Sequence, residues 1–292
     1  MPESKAPRAR LAAAQIRAWK HNRDRAPLVM ITAYDAPHAR IAESASVDMI
    51  LVGDSVGTTL LGYDSTTEVT LEEIIHHARA VRRGAPNTHV AADLPFGTYE
   101  SSNEQAVTSA VRLIREGRAD SVKLEGGTRM ADRIRAITNA GIPVIGHVGL
   151  LPQTAAGSGG MRVRGRTPEE AHEIIADATA VAAAGASACV LELVPAGLAE
   201  RITATLPVPT IGIGAGPNCD GQVLVINDLL GMDLGFSPKF LMRYAELEPT
   251  IRAAIEHYAE DVRSGAYPTA DHSFALPKSV SEALDRDGAP VE

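Results

Sequence analysis

The sequence predicts an α/β protein: a closed (β/α)8 TIM barrel with an added N-terminal helix. Three observations lead there. First, seven short apolar runs recur, at 28–35, 49–55, 89–96, 121–127, 142–150, 187–194 and 209–216. They are β-branched and apolar at both odd and even positions, as strands of a parallel sheet covered on both faces should be. Second, segments of helical period separate the runs, so strand and helix alternate without a separate block of either. Third, the first unit lacks a Gly-x-Gly-x-x-Gly turn, which counts against an open dinucleotide-binding sheet. The eighth strand has two candidates, 223–227 and 231–236.

The elements follow in order. Residues 7–23 read as the added helix, with Pro7 tolerated at its start. Thr70 caps a helix over 71–82, and Glu73 completes a capping box. Ser102 or Asn103 opens a helix that runs to Glu116 and is closed by Gly117. Another covers 130–140 and stops at Gly141. Thr167-Pro168-Glu169-Glu170 supplies a cap, a proline in the first turn and two acids at the positive helix end. That helix runs to 184 before Gly185, and a late helix covers 248–263. The chain after Phe274 is polar with Pro and Gly, as a flexible tail is. The expected organisation is an N-terminal extension (1–27), one catalytic barrel (28–274) and a tail (275–292).

Composition narrows the partners. A chain of 292 residues suits two domains of about 150 residues or one barrel of about 250. The net charge of −8 and 4% aromatics offer neither a basic footprint nor stacking platforms, so no nucleic acid is expected. Cys189 and Cys219 alone cannot build a disulfide framework, a Cys-rich zinc site or a CxxC pair. A reducing compartment, the cytoplasm, is expected. No apolar run approaches the 18 residues of a membrane span, and the first 25 residues lack the apolar stretch of a secretory signal.

In such a barrel the active site lies at the C-terminal strand ends. The polar residues there are Asp35, Asp54-Ser55, Asp93, Lys123, Glu125, His147 and Glu192. Asp54, Asp93 and Glu125 are carboxylates on separate strands. Without cysteines beside them they suit a hard cation such as Mg²⁺; each could also be only a helix cap or loop acid. Lys123 and Glu125 are two apart and share a face. They read as a structural ion pair, or as a fixed positive charge for a developing enolate oxygen, or, less favoured, with Lys123 as a Schiff-base lysine. It is one of only five lysines, and the one in a strand core. His147 lies among glycines and reads equally as a core residue or a site residue. Glu192, in an apolar strand, reads as a general acid or base, or as a buried acid paired with an arginine. The glycines at 212–216 weakly suggest an anion-binding loop. Residues 156–165, Gly-rich and basic, fit a mobile lid or a plain loop. His76-His77 are adjacent on a helix and do not share a face.

Longer strings carry a resemblance. LVGDSVG (51–57), ADLPFGTY (92–99), VKLEGG (122–127), GHVGLLPQ (146–153), VLELVP (190–195) and GIGAGPNCDGQ (212–222) occur in order. So do ITAYDAPHAR (31–40), VRRGAPN (81–87) and YPTADHSF (267–274). Together they resemble the ketopantoate hydroxymethyltransferase family over about 28–274. The resemblance implies a barrel of the phosphoenolpyruvate/pyruvate type, Mg²⁺, and a homo-oligomer, commonly a decamer. It implies transfer of a one-carbon unit from the co-substrate 5,10-methylenetetrahydrofolate to the 2-oxoacid 3-methyl-2-oxobutanoate, in pantothenate and coenzyme A synthesis. Carried over by position, the metal ligands are Asp54, Asp93 and Glu125. The keto-acid contacts are Asp54, Ser55, Asp93 and Lys123, and the proton acceptor is Glu192. Tyr34 and His147 match positions near the site. Arg164 stands where many relatives have Gln, Gly97-Thr98 varies the loop after Asp93, and the tail extends from Ala275. The alternatives are a Mg²⁺-enolate lyase, whose Lys-x-Cys-Gly-His loop is missing here, and a non-catalytic barrel.

Overall fold

The computed structural model describes residues 9–21, 26–158, 160–232 and 238–286. Eight strands close in chain order, each parallel to its neighbours: β1 Leu28–Thr32, β2 Met49–Val52, β3 His89–Asp93, β4 Ser121–Glu125, β5 Val144–Gly149, β6 Ala188–Glu192, β7 Thr210–Ile213 and β8 Gly221–Leu224. β8 pairs back with β1, Leu28 opposite Gly221, which completes the circle. The eighth strand lies close to the first of its two expected positions, beginning two residues earlier. Gly221 starts it because a Cβ there would sit 2.6 Å from the Leu28 carbonyl. The other candidate forms no strand at 231–232, and 233–237 lie outside the described residues.

The helices are α1 Ala13–Arg17, α2 Ala36–Ser44, α3 Leu71–Gly84, α4 Asn103–Arg115, α5 Ala131–Asn139, α6 Pro168–Ala183, α7 Ala196–Thr205, α8 Ile226–Leu229, α9 Leu247–Ser264 and α10 Lys278–Arg286. The expected caps operate. Thr70 Oγ1 accepts the Glu73 N–H while Glu73 reaches back to Thr70. Ser102 Oγ accepts from Gln105, and Thr167 caps α6 with Pro168 behind it. Two features depart from simple alternation. No helix joins β7 to β8, where 214–220 (GAGPNCD) holds turn formers instead of a helical period. The N-terminal helix is one short turn, α1, followed by a 3₁₀ turn at Ala18–His21.

Contacts divide the chain into two units, Met1–Tyr244 and Ala245–Glu292. In the second, α9 ends at the left-handed Gly265 and has no buried residue. The stretch expected as a flexible tail contains α10. Val280 and Leu284, one turn apart, are both exposed, and Lys278 lies 3.9 Å from Glu282 across the same spacing.

Alternation along the strands sorts the first unit's core into two layers. Ile50, Val52, Val122 and Leu124 point outward to the helices. Met30, Met49, Leu51, Ile145 and Val190 fill the barrel interior. Ile16, 1% exposed, joins that inner cluster, so the N-terminal segment packs against the interior of the barrel. The Leu11 carbonyl accepts the His89 Nδ1–H, and Arg17 donates to the Ala186 carbonyl at 2.9 Å. Ile16→Ala is therefore expected to cost about 2–4 kcal/mol in urea unfolding, with activity per folded molecule unchanged. An unchanged midpoint would separate this segment from the core.

Candidate active site

The same alternation that turns Ala91 and Val190 inward turns the strand-end polar groups inward. Asp93 ends β3, Lys123 and Glu125 lie on β4, His147 on β5 and Glu192 on β6, while Asp54 and Ser55 follow β2. Register brings them level: Asp93 pairs with Lys123, and Glu125 with His147. Asp54, Asp93, Lys123, Glu125 and His147 are all buried.

Their contacts form one network. Lys123 Nζ lies 3.0 Å from Asp93 Oδ1, and Asp93 Oδ2 accepts the Asp54 backbone N–H at 3.1 Å. Gln153 Nε2 donates to Asp54 Oδ2 at 2.7 Å and to the Leu94 carbonyl at 3.0 Å. The Gln153 backbone N–H donates to Glu125 Oε2 at 3.0 Å. His147 stands between two acids, its Nδ1 3.7 Å from Glu125 Oε1 and its Nε2 3.2 Å from Glu192 Oε2. The Tyr34 hydroxyl and Ser55 Oγ are 2.8 Å apart.

Backbone constraints hold Glu192 in place. Gly149, at φ +98°, lies so close that a Cβ would sit 2.3 Å from the Glu192 carbonyl. Leu193 adopts φ +46°, a left-handed conformation that costs a side-chain-bearing residue about 1–3 kcal/mol. Its N–H donates to Ile213 O at 2.9 Å and its carbonyl accepts the Arg164 N–H at 2.8 Å, which hold it there. Glu192 keeps 16% of its side chain exposed, so its carboxylate stays reachable.

Electrostatically the acids are crowded. Burial raises the Asp54 carboxyl against the pull of Lys123 and Gln153. Burial, with Asp54 nearby and Lys123 opposing, pushes Asp93 up to about 7. Burial and Asp54 hold Glu125 well above the usual carboxylate range. For Lys123, burial favours loss of the proton, but Asp93, Asp54 and Glu125 outweigh it and raise the ammonium above its ordinary value. Burial and then Lys123 lower His147. Added positive charge would let these acids ionise together.

The donor set fits a hard cation. It offers buried carboxylate oxygens and no thiol, and the ammonium of Lys123 is the cationic group paired with Asp93. Among the described residues, no three His, Cys, Asp or Glu side chains close on one point as they stand. Asp93 accepts the Asp54 backbone N–H, which sets these two acids side by side, and one or two carboxylates are what Mg²⁺ commonly takes alongside waters and substrate oxygens.

The sequence profile described as ketopantoate hydroxymethyltransferase matches residues 10–270. The chain belongs to that family. A 3-methyl-2-oxobutanoate hydroxymethyltransferase of Moorella thermoacetica is 55% identical over 269 residues, covering 92% of this chain and 99% of the relative. One from Heliobacterium modesticaldum is 55% identical over 249 residues, 85% of this chain and 90% of the relative. In structure the chain is similar to the phosphoenolpyruvate phosphomutase of Streptomyces platensis, with a TM-score of 0.59, 18% identity, and 95% and 96% of the two chains covered. It is also similar to 2,3-dimethylmalate lyase, with a TM-score of 0.56, 18% identity, and 95% and 99% covered. At these identities the structural likeness establishes the fold, while membership in the family makes the chain a transferase enzyme rather than a lyase or an inert barrel.

The structure thus gathers Asp54, Asp93, Lys123, Glu125, His147 and Glu192 into one network, with Ser55 and Tyr34 paired beside Asp54. It leaves Asp35 out: that residue caps α2, accepting the His38 N–H at 2.8 Å. Glu192 meets His147, the partner the sequence did not offer, instead of an arginine. His77 donates to the Tyr34 carbonyl at 2.7 Å. The glycines after β7 are accounted for by packing, since a Cβ on Gly214 would meet Leu193 at 2.7 Å and one on Gly216 would meet Ala196 at 2.4 Å. In the basic loop Arg162 pairs with Glu170 at 2.6 Å; residue 159 lies outside the described residues. Gln153 and Tyr99 were not singled out by the sequence. Both sit inside the strings GHVGLLPQ and ADLPFGTY, and a polar amide just past a Gly-Leu-Leu-Pro strand end was the available signal.

Proposed function

We propose that the chain transfers the one-carbon unit of 5,10-methylenetetrahydrofolate to 3-methyl-2-oxobutanoate, yielding 2-dehydropantoate and tetrahydrofolate in pantothenate and coenzyme A synthesis. The convergence of three buried carboxylates, one lysine and Glu192 in a single barrel mouth carries this reading, and the names of the 55%-identical relatives support it. We assign the chain to the cytoplasm as a homo-oligomer, a decamer, acting on small molecules without nucleic acid or membrane. Among the described residues, no helix is long and apolar enough to cross a membrane.

Asp54 and Asp93 would hold Mg²⁺, with Glu125 completing the set. When bound, the cation supplies Lewis acidity toward the keto acid's 2-oxo and carboxylate oxygens. Ser55, oriented by Tyr34, offers its hydroxyl to the substrate carboxylate. Lys123 stays protonated because three acids surround it, so it stabilises the charge that grows on the 2-oxo oxygen. The same protonation removes it as a Schiff-base nucleophile. Glu192 takes the single proton from the branched carbon. His147, kept neutral by burial, orients the Glu192 carboxylate through Nε2. The enolate carbon then attacks the donor's methylene in its iminium form, and water releases tetrahydrofolate, leaving the hydroxymethyl group on the carbon.

The test is a coupled assay with the pure protein. 2-Dehydropantoate should form only with both substrates present, stop on chelation and return with Mg²⁺. Deuterium exchange at the branched carbon without product would point to another acceptor. No exchange and no product would point to a binding role.

A further inference from the structure

We propose that Gln153 and Tyr99 are a positioning pair that fixes which oxygen of Asp54 and which oxygen of Glu125 stays open for a cation. The proposal rests on the cation reading of the site above. Both residues are buried, Gln153 to 4% exposure and Tyr99 to 2%.

The hydrogen bonds determine the amide's orientation. The Tyr99 hydroxyl accepts the Glu125 N–H at 3.3 Å. Its single proton goes to Gln153 Oε1 at 2.6 Å, in preference to the Glu125 carbonyl at 3.3 Å. That places Nε2 on the other side, where two acceptors, the Leu94 carbonyl and Asp54 Oδ2, take both of its hydrogens. The Gln153 backbone N–H meanwhile occupies Glu125 Oε2. One residue therefore satisfies one oxygen of each of two acids from different strands. The remaining oxygens, Asp54 Oδ1 and Glu125 Oε1, are left for monodentate binding, the geometry a small octahedral cation requires. The donors are neutral. An arginine or lysine in this place would satisfy the same oxygens but add charge that competes with the cation.

The experiment is titration of Mn²⁺ alone into metal-free wild type, Tyr99→Phe and Gln153→Leu, read by the free-Mn²⁺ spin signal, alongside melting curves. Partners behind a metal's ligands typically contribute about 10–100-fold in affinity, so Tyr99→Phe should weaken Mn²⁺ about 10-fold and Gln153→Leu about 100-fold. Tyr99→Phe should stay folded and melt only a few degrees below wild type, because it leaves the buried Gln153 Oε1 without its donor, and its keto-acid KM should rise more than its kcat falls. Wild-type Mn²⁺ affinity in Tyr99→Phe overturns the pairing even if Gln153→Leu fails to fold. A wild type that binds no Mn²⁺ overturns the cation reading and this inference with it.

Discussion

Glu192→Gln is expected to slow deuterium exchange at the branched carbon of 3-methyl-2-oxobutanoate by about 10²–10⁴-fold, the usual worth of a positioned general base, while keto-acid binding persists. Glutamine keeps the shape and can still meet His147 Nε2, now 3.2 Å from Glu192 Oε2, but it cannot take a proton. The other acids are poor substitutes. Asp54, Asp93 and Glu125 are buried, and each has an oxygen committed to an amide N–H. His147 is the competitor, because burial and Lys123 keep its ring neutral and able to accept. Exchange followed by NMR separates the two. Undiminished exchange in Glu192→Gln removes Glu192 as the base, and loss on His147→Gln alone would move the role to the imidazole.

Periodicity carried most of what could be read beforehand. Lys123 and Glu125 are two apart on one strand, so whichever way the strand faced, they faced together; the structure turns both inward. Asp35 and Asp54 illustrate the limit. Both end an apolar run as aspartate, but Asp35 is followed by Ala36-Pro37, a helix start, and serves as its cap. Asp54 is followed by Ser-Val-Gly and enters the site. The local string distinguishes them only once a cap is weighed against a ligand. Gln153 and Tyr99 were harder, because each reaches the site from a loop, and loop side chains carry no period from which direction can be read. The absence of a helix between β7 and β8 was legible in Gly214, Gly216 and Pro217, yet the regularity of the other units masked it. That Glu192 meets a histidine depends on β5 and β6 being neighbours with Gly149 opposite Glu192, a register that follows from barrel closure and not from either strand alone.

Asp93→Asn is expected to abolish transfer while making the metal-free protein more stable above neutral pH. Burial, reinforced by Asp54 and opposed by Lys123, pushes the Asp93 carboxyl from 3.8 up to about 7. Below 3.8 both folded and unfolded chains hold this proton. Between 3.8 and about 7 only the unfolded chain releases it, so the stability contributed by this group falls through that window and stays lost above it. Asparagine cannot ionise, and its carbonyl can still accept the Asp54 N–H. The melting temperature of Asp93→Asn should therefore track the parent at pH 4 and exceed it by a few degrees at pH 8, at roughly 2–4 °C per kcal/mol. Shared titrations elsewhere cancel in that difference. Saturating Mg²⁺ should reverse the order at pH 8, because a ligand bound only by the folded parent raises the parent's stability and not the variant's. A variant that melts below the parent at pH 8 without metal, with the parent's slope intact, would show that Lys123 and not burial governs Asp93. The buried acids would then be a balanced ion network, complete without a cation. The expected opposite sign makes the site a strained cluster of charge, held together by the barrel around it and relieved by the ion it binds.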